Sequence, residues 1–252
     1  MGAGVWTNFK SGHPYTYGPR HFLTHNTEVF DFMNKIVPMR LCAEHQFYSF
    51  VENDGNFYNY PIHEDDFVRM PDEKQIRNEI DVLDKKFKDN EFRLTVGDKN
   101  LDNAAKNYED FWIKSVGNSL YEKFIKKYTQ KMWQVSDNKI IDDFTWSPKG
   151  VAIKKGPRAG WDTAISAYPK EITGYNNFFL KAMDCANVNL NMSVDEINPK
   201  NKSAYIDNEW RNYDLIINTT PIDHLLKYRY GKLKYIGRDI TFIVLPVEFA
   251  LP

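Results

Sequence analysis

The chain has 252 residues, with 33 Lys plus Arg against 34 Asp plus Glu and 42% hydrophobic residues, enough for one large or two small cores and too apolar for a disordered state. The formal net charge is −1 and the pI about 6.6, so no positive field recruits nucleic acid or anionic lipid. No run nears the roughly 18 apolar residues of a membrane span, and Met1-Gly2-Ala3-Gly4 has neither the basic nor the apolar part of a signal peptide. A soluble, cytoplasmic protein with no nucleic-acid or membrane partner is expected. Cys42 and Cys185 are too few for a disulfide framework and read as small buried hydrophobes. Aromatic residues reach 15%, and such rings can also serve as stacking platforms for bases and sugars.

In chain order, the turn-rich His13–Pro19 precedes Val29–Met33, whose spacing suits a short helix. Phe47–Val51 and Phe57–Tyr60 flank Asn53-Asp54-Gly55, a strong hairpin signal. From Pro71-Asp72 onward, Ile76, Ile80, Leu83 and Phe87 fall on one helical face with charges on the others. Tyr108, Phe111, Trp112, Val116, Leu120, Phe124 and Tyr128 continue at helical spacing past Gly117-Asn118, with Ser119 and Glu122 as a capping box for a new helix. Residues 72–133 are thus a helical subdomain. Pro148, Gly150, Gly156, Pro157 and Gly160 punctuate a lysine-containing loop expected to be mobile. Tyr175–Met183 reads as a short helix, Asp214–Asn218 as a buried strand and Ile240–Val247 as a strong strand.

The six histidines show no metal-ligand spacing and no GxSxG elbow is present, so neither a metal site nor a serine hydrolase is expected. Gly2-Ala3-Gly4 has no preceding strand and no third glycine, and is not a dinucleotide fingerprint by itself. Phe124, Tyr128 and Trp133 fall near one side of a helix end beside Lys126, Lys127 and Lys131. Rings plus ammonium groups suit a nucleotide, while a core stripe with snorkelling lysines fits the same pattern.

Six ordered segments resemble UDP-galactopyranose mutases: Tyr17-Gly18-Pro19-Arg20-His21-Phe22-Leu23-Thr24-His25-Asn26 (YGPHxFHTN), Phe57-Tyr58-Asn59-Tyr60-Pro61 (LFNLP), Val116–Phe124 (LIGxxLYExF), Tyr128-Thr129-Gln130-Lys131-Met132-Trp133 (YTxKQW), Thr219–Asp223 (TGPID) and Tyr228–Tyr235 (YRFGxLxY). The resemblance implies an isomerase that interconverts UDP-galactopyranose and UDP-galactofuranose, with N5 of reduced FAD attacking the anomeric carbon. It implies a mixed α/β fold: a partial FAD-binding α/β domain, a helical bundle subdomain and a twisted antiparallel β-sheet. The corresponding plan is 1–35 for a remnant of the flavin domain, 36–66 for a sheet region and 67–135 for the helical substrate-binding part. Residues 136–212 follow as mobile loop, sheet and short helix, and 213–252 as the return strand of the flavin domain with antiparallel sheet.

By resemblance, Phe124, Tyr128, Thr129 and Trp133 line the uridine and sugar cleft, with Arg238 a further substrate contact. Gly18, Pro19, Arg20, His21, Pro221 and Asp223 fall on flavin-side motifs. Arg20 and Leu23 replace the two motif histidines, and Trp146 stands where the family's loop arginine clamps the diphosphate, leaving Lys149, Lys154, Lys155 or Arg158 as substitutes, with Arg158 leading for its planar fork. The family's strand-GxGxxG-helix unit and its YTR segment have no match here. A mutase lacking both ends is therefore expected, dependent on a complementary flavin-binding chain or a homo-oligomer, with a UDP-sugar as substrate. Two other readings share these residues: a non-catalytic nucleotide-sugar-binding remnant, and a flavin oxidoreductase on the same scaffold.

Overall fold

The computed structural model describes residues 3–18, 20–42, 44–88, 105–141, 153–160, 164–237 and 239–247. The chain divides into two compact units, His21–Lys170 and a second made of Met1–Arg20 with Glu171–Pro252.

In the first unit, β3 (Phe22–Thr24) and β4 (Met39–Leu41) flank β7 (Ile165–Pro169) in an antiparallel sheet, with Phe22 opposite Ala167 and Arg40 opposite Tyr168. The helix Thr27–Ile36 joins β3 to β4, and Asn26 caps it by accepting from the Val29 N–H at 3.1 Å. The expected hairpin forms from β5 (Tyr48–Val51) and β6 (Asn56–Asn59), with Gly55 at φ 61° closing the turn, a conformation that costs glycine little.

A helical layer follows. Asp72 supplies the carbonyl that accepts from Ile76 N–H at the start of helix Glu73–Lys88, and helix Tyr108–Val116 is capped by Asn107. Gly117, at φ 88°, breaks the chain direction. Beyond it Asn118–Leu120, a π-helical turn Tyr121–Lys126 and helix Lys127–Trp133 run on without interruption. Tyr58, Ile62, Ile76, Phe111, Leu120 and Tyr121, none more than 1% exposed, make the core between hairpin and helices. Each such side chain contributes about 1.5–3 kcal/mol of burial.

The capping box expected from Ser119 and Glu122 does not form. Both the backbone N–H and the hydroxyl of Ser119 donate to the Glu79 carboxylate at 2.8 Å, while Glu122 pairs with Lys126. The cap therefore comes from another helix, beyond any local pattern. Gly117 is where it must be, since a Cβ there would lie 2.7 Å from Glu79 Oε2.

Lys123 is the tie between hairpin and helices. Its ammonium lies 2.6 Å from Asp54 in the hairpin turn and 3.1 Å from Asp72 at the helix start, with the Asp54 side chain 4% exposed. Burial alone would push this lysine down, but the hydrogen bonds it donates to Asp54 and Asp72 hold it above its ordinary value. Tyr58 donates to the same Asp54 at 3.0 Å, and burial, reinforced by that bond, pushes its phenol up to about 12.

In the second unit, β1 (Asn8–Lys10) and β2 (His13–Tyr15) form a hairpin around Ser11-Gly12, and β8 (Val194–Asn198), β9 (Ser203–Ile206) and β10 (Glu209–Asn212) form an antiparallel meander. Helix Asn176–Asp184 is anchored through Asn176, whose side chain accepts from Thr7 N–H at 2.8 Å and donates to Thr7 O at 2.9 Å. Asp214–Asn218 and Ile240–Val247, expected as strands, are irregular within the described residues. Leu215, Ile217 and Ile243 stand 74%, 81% and 73% exposed, because a strand needs a ladder partner and no described strand pairs with either segment. Cys42 is half-buried and Cys185 exposed, so neither is the core residue expected. Among the described residues no helix is long and apolar enough to cross a membrane.

Removing the Lys123 ammonium leaves Asp54 buried and uncompensated. Lys123→Met is expected to lower unfolding free energy by about 3–5 kcal/mol, measured by urea denaturation at neutral pH; a loss within error would remove this pair from the framework.

Burial would raise the Glu79 carboxyl, but the bonds from Ser119, Gln75 and Asn118 hold it below its ordinary value of 4.5. Its contribution is complete above that value and is lost as pH falls through the lower folded value. Glu79→Gln should therefore flatten the acid limb of the stability-pH curve below about pH 4.5; an unchanged slope would mean the cap is not the titrating group.

Candidate functional site

The π-turn decides which aromatic residues face out. Bonding i to i+5 makes a residue five positions along return to the same face, so Phe124 and Thr129 are both buried, at 7% and 2% exposure, while Tyr128 stands 64% exposed. Trp133, at the helix end, is 40% exposed, and Gln134 turns left-handed behind it at φ 53°. The sequence stripe of Phe124, Tyr128 and Trp133 is thereby split. Phe124 packs edge-on against Tyr58, centroids 6.0 Å apart, as part of the core.

Thr129 is held from within, its hydroxyl donating to the Tyr108 phenol at 3.1 Å. Tyr60, next to this pair, keeps its proton well above the ordinary phenol range, chiefly through burial and then through the phenols of Tyr108 and Tyr128. Tyr60 and Tyr108 were not singled out as site residues by sequence. Tyr60 follows the hairpin and Tyr108 opens a helix, and nothing local signals that the fold brings the Tyr60 phenol near those of Tyr108 and Tyr128. An exposed ring backed by neutral hydroxyl groups is suited to a flat, hydrogen-bonding ligand such as a nucleobase. Of the three lysines nearby, Lys126 pairs with Glu122 at 2.7 Å, while Lys127 and Lys131 are exposed.

Arg158 is engaged within the chain. It donates to Asn59 Oδ1 at 3.2 Å and lies 3.5 Å from Asp65 and 3.8 Å from the fully buried Asp66. The described end of the expected mobile loop is likewise tied: Lys154 N–H donates to Ile62 O, Glu64 N–H to Lys154 O, and the Lys154 ammonium to Ala159 O. Trp146, Lys149, Arg238 and Pro19 lie outside the described residues.

The described residues that fall on flavin-side motifs by resemblance are engaged within the chain as well. Gly18 N–H donates to Gly4 O, and a Cβ on Gly18 would meet that oxygen at 3.0 Å. Arg20 donates to the Glu171 and Ile172 carbonyls at 3.0 and 3.2 Å. Pro221 precedes the single turn Ile222–Leu225. Both Asp223 oxygens are used, accepting from Leu233 N–H at 3.0 Å and Tyr235 O–H at 2.8 Å; burial would raise this carboxyl, but those bonds hold it below its ordinary range. In the other unit, His21 shares a 2.7 Å hydrogen bond with Ser166 and stacks on Tyr168, and burial with the neighbouring His45 keeps it below the usual histidine value.

A dinucleotide pyrophosphate needs convergent backbone N–H groups or a helix N-terminus. The Gly-containing turn Ala3–Val5 is a short 3-10 segment closed against Gly18, and the side chains named for the flavin are spent on internal bonds. The described residues do not by themselves fit FAD.

The architecture is a mixed α/β fold of the kind seen in UDP-galactopyranose mutase. A solved structure described as a crystal structure of reduced UDP-galactopyranose mutase is similar to this chain with a TM-score of 0.66 and 17% sequence identity, over 89% of this chain and 49% of that one. The chain thus spans about half the length of the mutase it matches. The family model for UDP-galactopyranose mutase matches residues 123–250, half of the chain. The chain belongs to the UDP-galactopyranose mutase family, a family of isomerases.

Proposed function

We propose that this chain provides the nucleotide-sugar-binding part of an isomerase that interconverts UDP-galactopyranose and UDP-galactofuranose. The observation that carries this reading is the exposed Tyr128 ring beside Thr129, whose hydroxyl is already oriented by Tyr108. Uracil stacks on Tyr128 and Trp133, while the buried Thr129 and Tyr108, bonded to each other, support the helix that presents these rings from beneath. Stacking reads the base without charge, in keeping with the chain's near-zero net charge. Phe124 supports the platform from the core and does not touch the ligand.

FAD, the cofactor the family resemblance implies, is not matched by the described residues, whose polar groups on the flavin-side motifs are spent internally. Binding of the UDP part is the role of these residues, and isomerisation is a property of the complete holoenzyme. The same internal bonds at Arg20 and Asp223 favour, as a second reading, a nucleotide-sugar binder that works without flavin. Absorbance near 450 nm in the purified protein, with UDP calorimetry, separates the two: UDP binding in colourless protein that gains no activity with added flavin selects the binder.

Tyr128→Ala is expected to weaken UDP binding by about 1–3 kcal/mol, the range for one aromatic partner of a base, while the melting temperature stays near that of the parent because the ring is exposed. Calorimetry with UDP, paired with thermal denaturation, checks both; an unchanged affinity would remove Tyr128 from the platform.

A further inference from the structure

The register of the platform depends on one residue outside the helix that carries it. Asn138 is 0% exposed and opens a 3-10 turn after the helix has ended. Its amide nitrogen donates to the Tyr121 hydroxyl at 2.8 Å and to the Lys126 carbonyl at 3.2 Å. These are the first and last residues of the π-turn. The Tyr121 hydroxyl in turn donates to Glu109 at 2.9 Å, fixing its own direction. Asn138 Oδ1 is buried without a hydrogen-bond partner among the described residues, so the donors of the amide are what this position uses.

A π-turn carries one more residue per turn than the α-helix around it, and persists where a side chain inserts into the hydrogen-bond ladder. We propose that Asn138 is a positioning residue that holds the Tyr121–Lys126 π-turn and so sets which of Tyr128 and Thr129 faces the ligand. Without the clamp the segment relaxes to an α-helix and everything beyond Lys126 rotates by about 100°, one residue's step in a helix. Tyr128 then turns toward the core and Thr129 away from Tyr108. The effect on nucleotide binding rests on the function proposed above; the register itself does not.

The test reads register directly. In full-length protein with Cys42→Ser and Cys185→Ser, Tyr128→Cys and Thr129→Cys are labelled separately with a maleimide, position 128 being expected to react much the faster. Adding Asn138→Ala is expected to narrow or reverse that order. Deleting Lys126 on top removes the extra residue, so the helix becomes α throughout with the original downstream phase, and the original order should return. UDP affinity, measured with the native Tyr128 and Thr129, should fall about tenfold in Asn138→Ala and recover in the deletion variant, a factor equal to about 1.4 kcal/mol.

An order unaffected by Asn138→Ala overturns the proposal, as does an order lost and not restored by the deletion. If Asn138→Ala does not fold, the deletion variant decides: a folded protein with the original order supports the clamp, and an unfolded one makes Asn138 a packing residue only. If labelling follows the expected pattern but no variant, the parent included, binds UDP, then the nucleotide reading fails while the register assignment stands.

Discussion

A lysine ammonium held between two aspartates organises the helical half of this protein. Lys123 joins the turn of the hairpin, through Asp54, to the first turn of helix Glu73–Lys88, through Asp72, from inside the π-turn Tyr121–Lys126. Three segments distant in sequence meet at one cation, and a buried charge tolerates few other arrangements, since each partner left alone would be an uncompensated ion. Tyr58 adds its hydroxyl to Asp54 and its ring to Phe124. The electrostatic tie and the apolar core therefore share residues. Once the π-turn is fixed there, the next turn must show Tyr128 to solvent and keep Thr129 inside.

The second constraint comes from the other end of the same turn. Asn138 and Glu109 complete a polar network around the fully buried Tyr121, whose phenol is pushed up first of all by burial. Networks of this kind specify one arrangement because leaving any member unsatisfied inside the protein is costly. Lys123 and Asn138 thus tie the π-turn Tyr121–Lys126 to the hairpin turn, to the start of helix Glu73–Lys88 and to the 3-10 turn that follows the helix.

Much of this was legible in the sequence. Asn53-Asp54-Gly55 gave the hairpin its turn, Pro71-Asp72 marked the start of a helix, and the apolar spacing from Ile76 to Tyr128 marked the helical layer, whereas the Asn26 and Asn107 caps were not singled out. What escaped was non-local or out of phase. The Ser119 cap is supplied by Glu79, forty positions earlier, which no capping pattern contains. The π-turn adds one residue to the helical count, so a stripe drawn at steps of four joined Phe124 to Tyr128 although the fold separates them. Asp214–Asn218 and Ile240–Val247 have strand composition, but composition records a capacity for pairing and not the presence of a partner. The family was legible through six short motifs in order, whereas the approach of the Tyr60 phenol to those of Tyr108 and Tyr128 arises only in the fold.

Nucleotide binding on the helix from Asn118 to Trp133, with Tyr60 and Tyr108 beside it, is tested by hydrogen-deuterium exchange with and without UDP. Added UDP is expected to slow exchange in 118–133 and in the segments around Tyr60 and Tyr108, with little change in the β8–β10 meander. Protection confined to other segments, or none at UDP concentrations that calorimetry shows to be saturating, would contradict it.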